Sequence, residues 1–352
     1  MSINVSPPKR QTDHQAVTAG LAILALVVSE NQALRNQGSS LFFALSLIAI
    51  PLCFFCFGML AHTATEQRSL SSLILGTIKV YCIGIVLYAP KQITAIASPD
   101  LTSSLQALVW GTGNSLYNAP LWLLTALVPG LCLYRMGIVG GKPLGERLWG
   151  PLIPVVGIGA SYWLLSSTLA RSYLPHDLWE RPIGLPFSLD LSPLVASLLL
   201  LGAWYQAHHQ EVSLHIHNQW PAWLSIVAIG AAFLIMVNFD PALDLNYRVI
   251  QAWPAALLAT LVGMALCVMA SQLLCINACK ARLPLALLGR NGLIILLVHA
   301  PIQNAIVNAL PETSQRSPLA VVAASVILCL SIAGIGQCVL NRHSLIKRIV
   351  YV

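Results

Sequence analysis

Long apolar runs, separated by short polar stretches, divide the chain almost end to end. A run of about 20 apolar residues is enough to cross a bilayer as a helix. Ten such runs predict helices at 15–33, 41–61, 71–90, 119–137, 149–170, 191–207, 220–238, 253–273, 289–309 and 317–340. Their apolar positions are continuous rather than alternating, which excludes a closed β-barrel. The first run follows Lys9 and Arg10 as a signal peptide would, yet Ser29-Glu30-Asn31-Gln32 is a poor cleavage site, so it reads as a retained helix. The expectation is an all-α, polytopic integral membrane protein of about ten transmembrane helices in one bundle. The membrane domain is expected over 15–340, between cytoplasmic tails 1–14 and 341–352.

Composition strengthens that reading. Of 352 residues, 57% are hydrophobic and 9% charged, where a soluble domain carries about 25% charged residues. The net charge of +7 has a topological explanation. With the N-terminus inside, the inner segments (Lys9, Arg10, Lys142, Arg147, Lys280 and Arg282 among their cations) hold twice as many Lys and Arg as the outer ones. Basic residues anchor cytoplasmic loops, so both termini are expected in the cytoplasm, with the protein in the plasma (bacterial inner) membrane. No clustered basic soluble patch marks a nucleic-acid partner. Most of the nine Cys lie in apolar runs. Cys53 and Cys56 have redox-motif spacing without a βαβ setting, and Cys275 and Cys279 have no His nearby, so neither disulfide nor metal is expected. The His-rich stretch 208–219 has the composition of a metal-binding tract, but His215 and His217 would point apart on a helix, so it reads as a solvated loop. No internal repeat of the transporter kind is visible.

Candidate chemistry concentrates in residues 283–302, LPLALLGRNGLIILLVHAPI. Arg290, Asn291 and His299 lie within ten residues of one another, and a polar group in hydrocarbon must find a partner or line a wet cavity. The outer loops are the second region. Trp110 and Tyr117 fall in 91–118. Tyr173, Asp177, Trp179 and Glu180 fall in 171–190, and Asp240, Asp244, Asn246, Tyr247 and Arg248 in 239–252. Rings beside carboxylates and amides suit carbohydrate. Anchoring of Trp and Tyr at the interface accounts for the same rings.

The ordered set Gly289, Arg290, Asn291, Leu293, His299, Pro301 and Ile302 resembles the penultimate helix of the membrane-bound acyltransferase 3 family, in its fucose 4-O-acetylase-like branch. Gly292 stands where Ser is usual. Residues 48–58 resemble the family's second helix, and Pro120-Leu121-Trp122-Leu123-Leu124 its Leu-Trp-Phe-Leu signature. Residues 185–190 resemble the entry to its sixth helix, and Asp244 through Arg248 its outer loop before the eighth. The resemblance implies transfer of an acyl group, acetyl first of all, from cytoplasmic acyl-CoA to a hydroxyl of a surface glycan or lipid-linked sugar. Membrane lipid and glycan-assembly proteins are the implied partners. It points to Arg290, Asn291, Trp122, Asp244, Asn246 and Arg248 as substrate-binding residues.

The same resemblance implies a cation and, later on the first helix, a His. Aligned on Gly20-Leu21-Ala22-Ile23, those positions are Ala19 and Glu30, and the His often placed before the second helix's Pro is Ala49. A hydroxyl is a poor nucleophile and needs a base. Glu30 and His299 are the catalytic candidates, Glu30 alternatively a helix end and His299 alternatively a packing residue. Arg290 fits either CoA phosphates or topological anchoring. Three readings stand: an O-acyltransferase, a catalytically impaired relative that binds glycan or lipid or serves as a scaffold, and a transporter or flippase. Gly289 and Gly292 are expected to let their helix approach a neighbour closely, with His299 facing the bundle interior.

Overall fold

The protein is described by a computed structural model over residues 9–31, 40–65, 70–95, 110–111, 116, 119–141, 149–167, 184–219, 222–277, 279–309 and 317–342. The outer-loop residues Asp100, Tyr117, Tyr173, Asp177, Trp179 and Glu180 lie outside these, as do tail residues 1–8 and 343–352.

The helices are α1 (Lys9–Ser29), α2 (Ser40–Thr65), α3 (Leu70–Ala95), α4 (Trp122–Gly141), α5 (Trp149–Ser166), α6 (Ser192–Gln219), α7 (Ala222–Val237), α8 (Trp253–Ile276), α9 (Arg282–Arg290), α10 (Gly292–Ala309) and α11 (Pro318–Arg342). Short 3₁₀ turns at Ala119–Leu121 and Pro186–Leu191 lead into α4 and α6. Among the described residues, four stretches are long and apolar enough to cross a membrane: Phe42–His62, Ser71–Pro90, Pro186–His209 and Trp253–Ile276. The bent pair α9–α10 makes a fifth when taken as one span. The other expected spans are shorter apolar helices, such as His14–Ser29 and Leu224–Val237.

α1 is the hub, packing on α2, α8, α9, α10 and α11. α6 is a second hub, packing on α2, α4 and α5. Small residues set both. A Cβ on Gly58 would collide with the Leu199 carbonyl, and one on Gly202 with the Phe55 carbonyl, so α2 and α6 meet backbone to backbone. Likewise a Cβ on Gly20 would strike the Leu285 carbonyl and one on Gly289 the Ala16 carbonyl. Such contacts replace the missing hydrophobic drive between helices in lipid. The close approach expected of Gly289 is therefore present, against α1.

Three local features depart from the sequence reading. First, the predicted helix 289–309 is two helices, bent by 87° at Asn291. Gly289 and Gly292 flank the break, and the Asn291 side chain donates to the Leu287 carbonyl (2.9 Å), an alternative to the helical ladder. Second, α6 continues as helix through the His-rich stretch to Gln219 in place of the expected loop. Residues 203–219 contain neither Gly nor Pro, so the sequence holds no helix breaker ahead of Pro221. Third, residues 242–251 form an antiparallel hairpin, β1 (Ala242–Asp244) with β2 (Val249–Gln251), pairing Leu243 with Ile250.

Candidate functional site

The α9–α10 break opens a cavity of about 470 Å³ against α1 and α2. α1 contributes Gln15, Ala16, Ala19, Ala22, Ile23 and Leu26, whose spacing places them on one helix face. α2 contributes Cys53, Cys56, Phe57 and Leu60, again one face. The wall is completed by Leu123, by Gly289 through Ile294, by Leu296 and by Gln337. Among the described residues, four with polar side-chain functions besides thiols line it: Gln15, Arg290, Asn291 and Gln337. Three of them meet at the break, where the Asn291 amide donates to Gln337 Oε1 at 3.3 Å. Beyond them the walls are Ala, aliphatic and aromatic side chains and two thiols. A polar mouth with an apolar shaft is the usual make-up of a small-molecule site, and the volume is in its ordinary range.

Asn291 is the most informative residue here. It is 1% exposed. Its Nδ2 donates to Leu287 O, a carbonyl that can only accept, so the amide orientation is fixed by chemistry. Its Oδ1 is then left with no hydrogen-bond partner among the described residues. A buried acceptor left unsatisfied costs about 1–3 kcal/mol, and this one belongs to a cavity wall. The first N–H groups of α10 follow at once, and the start of a helix offers unpaired donors and positive potential.

The shaft leads toward the two candidate bases. Gly292 packs on Ile23, and further along Gln303 donates to the Val27 carbonyl at 3.0 Å, so α1 and α10 advance together away from the break. Leu26 and Leu296 line the cavity, and Glu30 and His299 follow them by four and three residues, about one helical turn. Glu30 lies just past the last turn of α1, half-buried, its N–H on the Leu26 carbonyl. It is close enough to act electrostatically on Cys53, a cavity residue. His299 is fully buried. Its Nδ1 bonds the Ile295 carbonyl at 2.8 Å, so Nδ1 carries the proton and Nε2 the lone pair. Nε2 has no partner among the described residues. Neither Glu30 nor His299 lines the cavity itself. Nor do Arg290 and His299 stack along a single helix, as a straight 289–309 would require, because the 87° bend intervenes.

The remaining predicted site residues sit elsewhere. Trp122 is buried at the start of α4, edge-on to Phe54 at 6.5 Å, next to the cavity residue Leu123. Asp244, Asn246 and Arg248 share the hairpin and do not line the cavity. Arg248 is fully buried, and its guanidinium is held by its own chain. Nε and Nη2 donate to Asp190 (2.7 and 3.2 Å), and Nη1 donates to the carbonyls of Leu245 and Asn246 (3.3 and 2.9 Å). Asp190 also accepts the Leu185 N–H at 2.9 Å, and Asp244 accepts the Tyr247 N–H at 3.1 Å.

One polar cluster escaped the sequence reading. His14 Nε2 lies 2.8 Å from the Tyr205 hydroxyl and Nδ1 lies 2.9 Å from Ser271 Oγ. Gln272 donates to Tyr205 at 2.7 Å, and Thr18 bonds Ser271 at 2.7 Å. The network ties α1 to α6 and α8 beside Gln15. Its sequence signal was the polar residues interrupting apolar runs, but their pairing spans most of the chain.

No curated protein and no solved structure matches the chain. The family model described as an acyltransferase domain, acyltransferase 3, matches residues 20–336. That match takes in the break, the cavity face of α1 from Ala22 onward, α2 and Gln303, and the chain accordingly belongs to the acyltransferase 3 family of membrane acyltransferases.

Proposed function

We propose that the protein is an O-acyltransferase that moves an acyl group, acetyl in the first instance, from acyl-CoA at the cytoplasmic face to a hydroxyl of a cell-surface glycan or lipid-linked sugar. The observation that carries this is the cavity whose polar mouth lies at the α9–α10 break and whose apolar shaft points toward Glu30 and His299. Lys9 and Arg10 begin α1, and Lys280 and Arg282 lead into α9, so the cations cluster at the mouth end, as a cytoplasmic mouth requires. The fucose 4-O-acetylase-like branch fits through Gly289, Arg290, Asn291, His299 and Pro301. The first helix departs from the pattern of that branch, with Ala19 in place of the cation and Glu30 in place of the His. Ala19 nevertheless shares its cavity with Arg290, so a cation reaches the same space from α9.

The reaction needs few parts. The acceptor oxygen attacks the thioester carbonyl carbon, the C–S bond breaks, and the hydroxyl proton goes to a base and then to the departing thiolate. In its neutral form His299, whose Nε2 has no partner among the described residues, has the form of a base. Glu30 is the alternative.

The test is transfer of labelled acetyl from acetyl-CoA to envelope glycan in membranes, wild type beside Glu30→Gln and His299→Ala. Loss of a general base costs roughly 10²–10⁴-fold in turnover. A loss of that size in one variant, with normal membrane insertion, names the base. Unchanged turnover in both would remove both from the site. Ala19 and Glu30 also favour one second reading, an inactive relative that holds glycan or lipid. Absence of wild-type turnover alongside retained glycan binding would establish it.

A further inference from the structure

A second recess, of about 340 Å³, lies on the other side of the mouth. It is lined by Arg282, Leu283, Pro284, Ala286, Leu287, Arg290 and Gln337. Arg290 and Gln337 line both spaces, so the two are continuous in their walls at the mouth. Arg282 and Arg290 stand at opposite ends of α9, eight residues or roughly 12 Å apart. Neither is buried. A third recess, between α7 and α8, offers the contrast: Ala228, Ile229, Ala232, Leu261, Val262 and Ala265 give it no polar side chain.

The geometry points to the Arg282–Arg290 recess as a phosphate subsite that holds the phosphorylated nucleotide end of the acyl donor while the thioester enters the shaft. This rests on the acyltransferase reading of the cavity and adds what holds the donor outside it. A coenzyme A thioester is long, polyanionic at one end and apolar at the acyl end. Two adjoining spaces, one with paired guanidinium groups and one with an apolar shaft, divide along the same line. Arginine is suited to phosphate through its planar fork of donors. Placing two on one short helix, clamped against α1 by Gly20 and Gly289, fixes their separation. The 87° break then turns the donor from the surface into the bundle. Anionic lipid headgroups carry the same phosphate chemistry, so the test separates the two sources.

The full chain would be reconstituted in nanodiscs of phosphatidylcholine alone and of phosphatidylcholine with phosphatidylglycerol. Binding of CoA, dephospho-CoA and pantetheine is measured directly, and transfer is measured from acetyl-CoA and from acetyl-pantetheine. We expect Arg282→Gln to weaken CoA binding about fivefold, the upper end for a solvent-exposed charge pair, and to leave pantetheine binding unchanged. Arg282→Lys should recover part of the loss, and added salt should shrink it. The KM for acetyl-CoA should rise with kcat held, and acetyl-pantetheine kinetics should not move. Equal binding of CoA by wild type and Arg282→Gln overturns the subsite and leaves the acyltransferase reading standing. So does an effect confined to phosphatidylglycerol nanodiscs, which assigns the recess to lipid. Selective CoA binding without transfer from either thioester keeps the subsite and overturns the acyltransferase reading.

Discussion

The hairpin end and the break end of the molecule make an instructive pair. Each presents an arginine and an asparagine a few residues apart, Asn246 with Arg248 and Arg290 with Asn291, and each read as a candidate site. At the hairpin the arginine is fully buried and its donors go to Asp190 and two carbonyls. The left-handed backbone at Arg248 (φ 53°) turns the chain so that this is possible. At the break the asparagine is buried with an open acceptor on a cavity, and the arginine is exposed at its mouth. A guanidinium satisfied by its own fold, as at Arg248, holds a structure together. Polar groups left open at a cavity wall are available to a ligand. The two ends therefore differ in what a substitution should disturb.

The largest effect belongs to the hairpin. Removing one partner of a buried ion pair strands the other and costs about 3–5 kcal/mol. Arg248→Ala should accordingly lower the thermal midpoint sharply in detergent and reduce folded yield. The double variant Arg248→Met with Asp190→Leu should regain much of the loss, since an apolar pair of similar volume avoids the stranded charge. Donor affinity in the protein that does fold should match wild type. A normal midpoint for Arg248→Ala combined with a weakened substrate response would reverse the assignment and make Arg248 a binding residue.

Next in size is Gly289→Ala. The added methyl would meet the Ala16 carbonyl, which is backbone and cannot rotate away. Overpacking of this kind costs roughly 1–3 kcal/mol, and here it would push α9 off α1 and reshape a cavity that Gly289 itself lines. Stability and donor binding should fall together, unlike at the hairpin. Measuring thermal midpoint and CoA affinity on one preparation checks it. A fall in one alone would show that the α1–α9 contact does not shape the site.

The mostly helical, apolar character of the chain was legible from the sequence, and Arg290 and Asn291, singled out there as substrate-binding candidates, line the cavity. Apolar runs announce themselves because each backbone group in lipid must be satisfied within its own helix. What stayed hidden needed contacts between distant residues. Asp190 and Arg248 are 58 residues apart, and His14 and Ser271 are 257 apart. No local pattern encodes either pairing. The break at Asn291 hid for a different reason. Gly-Arg-Asn-Gly read as the start of a helix, whereas Asn291 leaves helical geometry (φ −106°, ψ 16°) and its side chain donates to the Leu287 carbonyl, so one helix ends where the next begins. The full reach of α6 was obscured by a polar, His-rich sequence that suits a solvated loop and an exposed helix end equally.

The smallest stability change should come from Asn291→Ala, and that is why it sharpens the comparison most. The substitution removes two hydrogen bonds, to Leu287 O and Gln337 Oε1, each with a net value of about 0.5–1.5 kcal/mol. It also removes Oδ1, whose unsatisfied burial costs a comparable amount. The terms oppose each other, so the thermal midpoint should stay close to wild type. Donor handling should not. The mouth loses its one buried, unpartnered side-chain acceptor among the described residues, and Gln337 loses the amide that orients it. Acyl transfer at limiting acetyl-CoA should fall about tenfold, the value of roughly one hydrogen bond made by a bound ligand. Asn291→Ala thus pairs intact stability with lost activity, and Arg248→Ala pairs lost stability with intact affinity. A large midpoint drop for Asn291→Ala with unchanged transfer would mean that the open acceptor is a packing defect, and the distinction between the two ends would fail.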